Sequence, residues 1–460
     1  MEFPAQGYVN PINTTFEFDV TLATYGTPGS SIVRFQNNIQ CIFNRVRILY
    51  GATPLEDIIQ YNVIVRALTE WTSTNQVGSL DQTSIAEGIG GVVIGTGGTG
   101  LGGAISSYVN VRQAYIHGVD STTTVGFSNI PNSTTVNGIT GPTRRYQVNL
   151  ALGLLTQDKL LPVKFMASQL SIELSLAPEA ECILAQATGS GNNPTYGVSN
   201  FNMIPEILEF DSSYDAMFLK GLQDGGVPIK FSSWHSFIFS TGGSSSINVL
   251  VQERSRSVKA LFAVQRRAPS SLLVDHGAFL FSSTPAQTLQ NYQYRIGGRY
   301  FPAQPVQCST TVGSAVPNGG CEAYVELQKA LNIVGDYRLS TSTNVLRWGM
   351  LPETITLGSA ALEGDFTSNQ KVMTSAGVPS YLTATAPYAG NVGSACYASA
   401  IDLETSNGIE ISGLNAEEQS DISFSANFSG AQQANYNIEI YSYYDAMIIL
   451  RENNVLELIQ

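Results

Sequence analysis

A glycine-rich stretch carries the most suggestive chemical pattern in this sequence. Val92–Gly100 places the spacing Gly-x-Gly-x-x-Gly after an apolar run, which is the fingerprint of dinucleotide-binding loops. That chemistry needs a helix N-terminus directly behind the loop to receive the pyrophosphate. Residues 101–109 contain glycines and β-branched residues, which form helices poorly. The pattern therefore favours a tightly turning glycine loop over a nucleotide site.

The other residues that could do chemistry are few and scattered. The chain has three histidines, His117, His235 and His276, and none lies at metal-ligand spacing from another histidine or a cysteine. His235 follows Trp234 in an apolar run, which predicts a packed, hydrogen-bonded core histidine. No Gly-x-Ser-x-Gly or His-Glu-x-x-His motif occurs. We therefore predict no catalytic, cofactor-binding or metal-binding residue and no enzyme, with carboxylates distant in sequence as the one catalytic alternative left open.

The cysteines do not indicate a disulfide framework or a zinc site. Their odd number and the lack of a Cys-x-x-Cys motif argue against both. Cys308 and Cys321 flank a Gly/Ser-rich loop, so their pairing stays open, although free thiols in a reducing compartment are favoured. We expect no signal peptide at the N-terminus, and no run approaches the roughly 18 apolar residues of a membrane span. The five cysteines are Cys41, Cys182, Cys308, Cys321 and Cys396.

The charge balance argues against nucleic acid as a specific ligand. The chain carries 36 acidic and 23 basic residues, a net charge of −13, whereas phosphate binding relies on clustered Lys and Arg. Only 13% of the residues are charged, so we expect partner subunits to cover much of the surface, with a Ser/Thr/Asn/Gln-rich surface as the alternative. We predict ion-paired or solvated strand faces for the local basic groups. These groups are Arg45 and Arg47; Arg254, Arg256 and Lys259; and Arg266 and Arg267.

An internal repeat is the main clue to the fold. Ser-Ser-Ile follows a glycine turn twice, ending at Ile32 and at Ile247, and each copy opens an apolar strand. The interval from Ile32 to Pro54 equals the interval from Ile247 to Pro269. Repetition over this length predicts two copies of one β-domain. Chance similarity between apolar strands is the alternative.

Local patterns predict the individual elements. Phe16–Leu22 alternates with a period of two, which predicts a strand. Thr53, Pro54 and the following acids form a helix-start signal, which predicts a helix running to about Leu68. The apolar spacing in Cys321–Leu331 predicts a second helix. The fold class that follows is all-β: two tandem antiparallel jelly-roll (β-sandwich) domains with a few short helices in connecting loops.

Composition predicts the domain boundaries. The Gly/Asn/Pro-rich stretch 187–194 has the composition of a linker. The two ends of the chain are extended or polar, and we expect them to lie across neighbouring subunits. The predicted organisation is an N-terminal arm at 1–14, a first jelly roll at 15–180, a linker at 181–204, a second jelly roll at 205–450 and a C-terminal tail at 451–460.

Four stretches resemble the double jelly-roll major capsid proteins of double-stranded DNA viruses, in particular those of polinton-like viruses and their adenovirus-like relatives. Together they bracket nearly the whole chain, although none is a sharp signature. At 460 residues the chain would be a compact member with little room for tower loops. The four stretches are 154–163 with the strand 169–176, then 254–262, 292–302 and 436–450.

This resemblance implies a structural role. It implies a major capsid protein whose homotrimer forms a pseudo-hexagonal block that tiles an icosahedral shell, in a virion assembled inside the host cell. The implied partners are further copies of the chain and minor capsid or penton proteins, with no specific nucleic acid; whether a membrane takes part stays open. The alternative is a carbohydrate-binding, lectin-like β-sandwich, and a β-rich hydrolase is a third class. No cofactor is expected.

The glycine loop generates a first testable prediction. We expect Gly88–Gly103 to bind neither NAD nor ATP, because residues 101–109 form helices poorly and are not expected to supply the helix N-terminus that receives phosphate. Equilibrium dialysis of the purified protein with each nucleotide checks this. Saturable binding that disappears on changing Gly97 to alanine would contradict the prediction.

Overall fold

The described part of the chain is mostly β-structure, in strands β1 to β20 with five short helices, α1 to α5. The structure is a computed structural model. It describes residues 1–23, 32–35, 39–72, 118–119, 143–186, 195–267, 289–308, 321–334, 371–373, 379–381, 397–404, 412–417, 421–428, 436–452 and 456–460. The glycine loop, His117 and His276 lie outside these residues.

The first half contains nine strands and three helices. Its strands are β1 Tyr8–Ala23, β2 Ile32–Phe35, β3 Phe43–Tyr50, β4 Thr53–Ile59, β5 Gly118–Val119, β6 Thr143–Val148, β7 Leu170–Leu176, β8 Ile183–Gln186 and β9 Thr195–Leu208. Its helices are α1 Tyr61–Thr72, α2 Gly153–Thr156 and α3 Glu179–Cys182, and short 3-10 turns lie at Ile39–Ile42 and Val163–Phe165.

Helix α4, Ser212–Gln223, connects the halves, and Asp211 caps it by accepting a hydrogen bond from the Tyr214 N–H at 3.0 Å. The second half has the strands β10 Val227–Ser240, β11 Ser246–Val251, β12 Val258–Arg267, β13 Leu289–Ile296, β14 Arg299–Gln307, β15 Lys371–Met373, β16 Pro379–Tyr381, β17 Ser399–Asp402, β18 Ile422–Phe428, β19 Tyr436–Leu450 and β20 Leu456–Ile459. Helix α5 is Cys321–Ala330, within the predicted helix.

The second half is a complete jelly roll. One sheet has the order β10-β19-β12-β17, and the other has the order β11-β18-β13-β14. Successive strands alternate between the two sheets except at β13 and β14, which pair as neighbours in one sheet, and β10, the first strand of the roll, lies beside β19. This arrangement is two interlocked Greek keys, as a jelly roll requires. The predicted fold class is therefore confirmed for this half.

Three pairs of hydrogen-bonded strands in the second half have counterparts in the first half. The pairs β1–β9, β2–β8 and β3–β7 of the first half correspond to β10–β19, β11–β18 and β12–β17 of the second. The strands predicted to be duplicated, within 31–49 and 247–265, therefore occupy the same topological positions. The internal repeat is confirmed, and the chain is a tandem of two jelly rolls.

The two rolls also begin in the same way. Gly7 precedes β1 and Gly226 precedes β10, and both have a positive φ, of +69° and +98°. A Cβ at either glycine would lie 2.8 Å from a backbone carbonyl oxygen at the end of the last strand of its roll. A Cβ at Gly7 would lie close to Ile207, Leu208 and Glu209. A Cβ at Gly226 would lie close to Ile449, Leu450 and Arg451.

Each core is built from the alternating faces of its sheets. In the second roll Tyr292 and Tyr294 of β13 are fully buried beside Phe424 of β18. Their hydroxyls donate hydrogen bonds to the carbonyl oxygens of Ala400 and Ser399 on the facing sheet, at 3.0 and 2.8 Å. Because the rings fill the core and the hydroxyls satisfy carbonyls of β17, these tyrosines tie the two sheets together.

The helix predicted from Thr53 to about Leu68 is wrong in its first half. Thr53–Ile59 is strand β4, and the helix begins only at Tyr61. Gly51, with φ +58°, closes a tight hairpin that pairs Thr53 with Tyr50 of β3. The local helix-start signal was overruled because pairing with β3 lets β4 place Leu55 and Ile58 in the core.

The predicted arm, linker and tail also differ from the structure. The first residues pair within the chain, where the Phe3 N–H donates to the Leu170 carbonyl at 2.8 Å, and β1 already begins at Tyr8. The predicted linker 181–204 contains β8 and most of β9, which pair with β2 and β1. The tail contains β20, which pairs with β19. Backbone hydrogen bonding to distant strands, rather than composition, decides these segments.

The shared glycine geometry predicts a graded effect of alanine substitution. We expect Gly226→Ala to lower the free energy of unfolding by about 2–4 kcal/mol, because it combines a strained φ with a backbone clash. Gly242, with φ +59° and open space around it, should cost only about 1 kcal/mol. Gly197, with open space and no positive φ, should cost nothing measurable. Urea unfolding of the three variants tests this order, and equal losses would refute it.

Candidate functional site: the interface between the two rolls

The two rolls meet through a buried aromatic contact. Trp71 of α1, in the first roll, stacks on Phe262 of β12 in the second, with ring centroids 5.3 Å apart. Trp234 of β10 packs on the same phenylalanine and on Tyr443, at 5.6 and 4.6 Å. Trp71 and Phe262 are each 1% exposed. Aromatic pairs of this kind bury much apolar area, so the contact holds the rolls together.

A buried carboxylate crosses the same interface. Glu56 of β4 accepts hydrogen bonds from the N–H groups of Gly153 and Leu154, at 2.8 and 3.2 Å, and from the Ser233 hydroxyl at 2.7 Å. Gly153 and Leu154 open α2, whose own preceding residue, Leu152, has no side chain that can cap it. Glu56 therefore caps α2 from a distant strand and binds β10 of the second roll. Burial raises the pKa of Glu56, against the lowering effect of its three donors.

The close approach at this point requires a glycine. A Cβ built on Gly153 would lie 1.9 Å from the carbonyl oxygen of Ser232 in β10. No side chain fits at that separation, because it is far inside van der Waals contact. The backbone of α2 thus packs directly on the backbone of the second roll.

A second polar cluster joins the rolls nearby. Arg266 and Glu439 of the second roll form a buried ion pair at 2.7 Å, with both side chains 1% exposed. The Tyr441 hydroxyl lies 2.7 Å from Glu439 Oε2 and 2.9 Å from Oε1 of Gln60 in the first roll, so its proton reaches one acceptor at a time. Burial raises the pKa of Glu181 in the first roll, while the Arg266 charge acts to lower it. Charges from both halves therefore share one buried environment.

Five of the seven basic residues singled out in the sequence form ion pairs. Arg45 binds Asp57 through two hydrogen bonds, at 2.7 and 2.5 Å, and Arg47 pairs with Glu173. These contacts confirm the predicted ion-paired strand faces, and they leave these cations unavailable for phosphate. The remaining pairs of this set are Arg256 with Glu417, Lys259 with Glu404 and Arg266 with Glu439.

His235 lies at the interface rather than in a core. Its Nδ1 is 3.2 Å from Glu253 Oε2, and its ring stacks on Tyr444 at 4.2 Å. The predicted hydrogen bond is confirmed, but the predicted core position is wrong, because the side chain is 32% exposed beside a cavity of about 300 Å³. Burial acts to raise the pKa of Glu253, but hydrogen bonds from His235 and Ser255 outweigh it and hold that pKa at about 2.

Three cysteines in the described part of the chain are buried and form no disulfide bond. They are Cys41, Cys182 and Cys308. Because Cys308 is free, the pairing with Cys321 that the sequence left open is not formed. Burial raises the pKa of Cys308 to about 12, so its thiolate is scarcely populated near neutral pH and the thiol is unreactive.

Within the described ranges, no group of three or more His, Cys, Asp and Glu residues is placed to hold a metal ion. No helix in that part of the chain is long and apolar enough to cross a membrane.

Comparisons place the fold among solved viral structures. No protein-family model and no curated protein matches the sequence. The quasi-atomic model of the PBCV-1 virus capsid matches with a TM-score of 0.51 and 11% identity, covering 100% of this chain and 91% of that one. The cryo-EM structure of the Sputnik virophage matches with the same TM-score and identity, covering 100% and 84%. The chain therefore has the double jelly-roll fold, as the resemblance in its sequence predicted.

The inter-roll residues were not found from sequence. Glu56 offered no distinct signal, because Pro54 before it and Asp57 after it made it part of the apparent helix start. Its donors Gly153 and Ser233 lie 97 and 177 positions away in the sequence, so a local sequence pattern cannot predict them.

Glu56 generates a stability prediction. We expect Glu56→Gln to lower the free energy of unfolding by about 1–3 kcal/mol, because the amide N–H₂ would face the Leu154 N–H and leave two buried donors opposed. Glu173→Gln is the matched control, since Glu173 is half exposed in its ion pair and should cost under about 1 kcal/mol. Urea unfolding measures both. A Glu56→Gln variant as stable as the control would contradict this role.

Glu253 generates a pH prediction. Its pKa of about 2 lies below the ordinary value of 4.5, so its contribution to stability is complete above pH 4.5 and is lost as the pH falls toward 2. We expect the difference in unfolding free energy between the protein and Glu253→Gln to shrink over that window. Urea unfolding at a series of pH values checks this, with Glu209→Gln as an exposed control. A difference independent of pH would refute it.

Proposed function

We propose that this protein is the major building block of a viral capsid, a structural protein without catalytic activity. The observation that carries the proposal is a tandem of two jelly rolls locked together by the Glu56 and Trp71 contacts. A shell unit must keep the angle between its domains, and a buried interface of this kind keeps it. The PBCV-1 virus capsid model, which shares the fold over the whole chain, supports the proposal.

The assembled state that fits this geometry is a homotrimer. Three chains with two rolls each place six similar β-domains around one axis, which makes a pseudo-hexagonal block that tiles an icosahedral shell. Closed symmetry repeats each favourable contact three times. Its partners are then further copies of itself in the virion, together with minor capsid or penton proteins.

The surface supports extensive association. Large apolar side chains are exposed on both rolls, among them Leu176 at 51%, Leu250 at 52% and Tyr300 at 54%. The chain is also poor in charge, and several of its basic residues already pair within it. A surface that is apolar and weakly charged suits the large interfaces of permanent assemblies.

Oligomeric state tests the proposal. We expect native mass spectrometry across a micromolar concentration range to show a trimer, and electron microscopy of concentrated material to show hexagonal blocks or shells. A lectin-like β-sandwich would instead remain monomeric and be retained on glycan columns. A monomer at every concentration, without ordered assembly, would refute the capsid function.

The first residues pair within the chain, which changes the expectation that the N-terminus acts only as an arm lying across neighbouring subunits. Residues 1–3 pair with β7, residues 8–10 pair with the end of β9, and Phe3 and Val9 are buried, so deleting residues 1–12 should lower stability as well as assembly. We expect the deletion variant to unfold at lower urea concentration than the full chain. A variant that folds normally but no longer forms trimers would restore the idea of a clamp that lies across neighbours.

A further inference from the structure

The last strand of the second roll is covered at its end by the chain's own tail. Strand β20 pairs with Met447–Leu450, the final residues of β19, on the side away from β10. Arg451 fastens this strand by binding Glu457 through two hydrogen bonds, at 2.9 and 2.7 Å. The edge of β19 is thereby closed with a four-residue strand and one ion pair.

Among the residues that the structure describes, no strand pairs with the equivalent edge of the first roll. Leu208 lies opposite Tyr8 as Leu450 lies opposite Val227, so the end of β9 corresponds to the end of β19. Within the described residues, β9 pairs with β1 alone, and none of its 14 residues is buried. The backbone at 205–208 therefore has a free edge of the kind that accepts an added strand.

Apolar side chains surround this free edge. Ile204 and Ile207 are 44% and 42% exposed, and Met217 of the neighbouring helix α4 is 64% exposed. Helix α4 follows β9 directly but leaves both isoleucines open, and Leu222 is its only buried residue. Pro205 removes one backbone donor, so the available edge is short, as β20 is short.

The charge beside the edge is reversed between the rolls. The environments of Gly7 and Gly226 equate Glu209 with Arg451. Glu209 is exposed and has no hydrogen-bond or ion-pair partner among the residues that the structure describes. In the second roll, Arg451 binds Glu457 of β20. In the first roll, Glu209 occupies the position equivalent to Arg451, and no described strand lies beside it.

We propose that the edge at 205–208 binds an extended segment of a different protein, with the pattern apolar–basic–apolar–apolar. The segment adds as a strand to β9 and places its Lys or Arg against Glu209. The tail of a second copy of this chain does not fit, because it would place Glu457 against Glu209. The proposal does not depend on the capsid function, since the edge and the charge are properties of the folded chain.

Two peptides test the proposal directly. The first has the sequence of residues 453–460, and the second carries Glu457→Lys in that sequence. We expect the lysine peptide to bind the full-length protein about three- to tenfold more tightly, because one exposed charge pair changes from repulsive to attractive. Fluorescence anisotropy with labelled peptides measures the affinities.

Hydrogen exchange locates the binding. Pairing at the proposed edge should protect backbone amides within 203–210, whereas displacement of β20 would alter 445–460 instead. In the Glu209→Arg variant the preference should reverse, so that the unmodified tail peptide binds more tightly. Asp421→Arg, an exposed acid on the second roll, is the matched control and should leave the preference unchanged.

Each outcome decides the proposal. Preference for the lysine peptide, protection at 203–210 and reversal by Glu209→Arg support it. Equal binding of the peptides, preference of the unaltered protein for the unmodified tail, or no protection at about 1 mM peptide overturns it. Trimer formation by native mass spectrometry is a separate readout, so failure of this proposal leaves the capsid function standing and the reverse also holds.

Discussion

The relative position of the two rolls depends on one buried carboxylate. Glu56 takes its three hydrogen bonds from two segments, the start of α2 and strand β10, which belong to different rolls. Separating the rolls would leave a buried acceptor and the first N–H groups of α2 without partners, which is costly in free energy. The backbone contact at Gly153 and the Trp71–Phe262 stack remove the remaining freedom. Rigidity between domains therefore follows from packing and polar satisfaction together.

Nine of the chain's 23 lysine and arginine residues form ion pairs with carboxylates among the residues that the structure describes. Arg45, Arg47 and Lys259 bind carboxylates across neighbouring strands, and Arg266 does so in full burial. Such pairs contribute little at the surface and satisfy buried charge inside. They leave an outer surface with exposed aliphatic and aromatic side chains and little positive charge. That surface suits association with other protein and does not suit binding to phosphate.

The two rolls share a topology but differ at their edges. Strand β19 lies between β10 and β12 and is buried through most of its length, whereas β9 pairs with β1 alone among the described residues. The tail closes the end of β19, and helix α4 leaves the matching end of β9 exposed. Duplication therefore supplied two copies of one core, and the connections after each last strand made their outer surfaces different. Glu209 and Arg451 occupy equivalent positions in the two rolls, and their opposite charges are part of this difference.

By itself the sequence determined the class of fold. The alternation in β1 indicates a strand, and the equal intervals from Ile32 to Pro54 and from Ile247 to Pro269 indicate a repeat, and both can be seen without knowing which strands pair. It also indicated that the local basic groups lie on ion-paired or solvated faces of strands. It did not determine the strand at Thr53–Ile59, where a helix-start signal lost to pairing with β3, or the strand in the predicted linker, which pairs with β1. The position of Glu56 was decided only by tertiary structure, because its donors lie 97 and 177 positions away. Local patterns act over a few residues, whereas buried polar groups are satisfied by whichever segments the fold brings together.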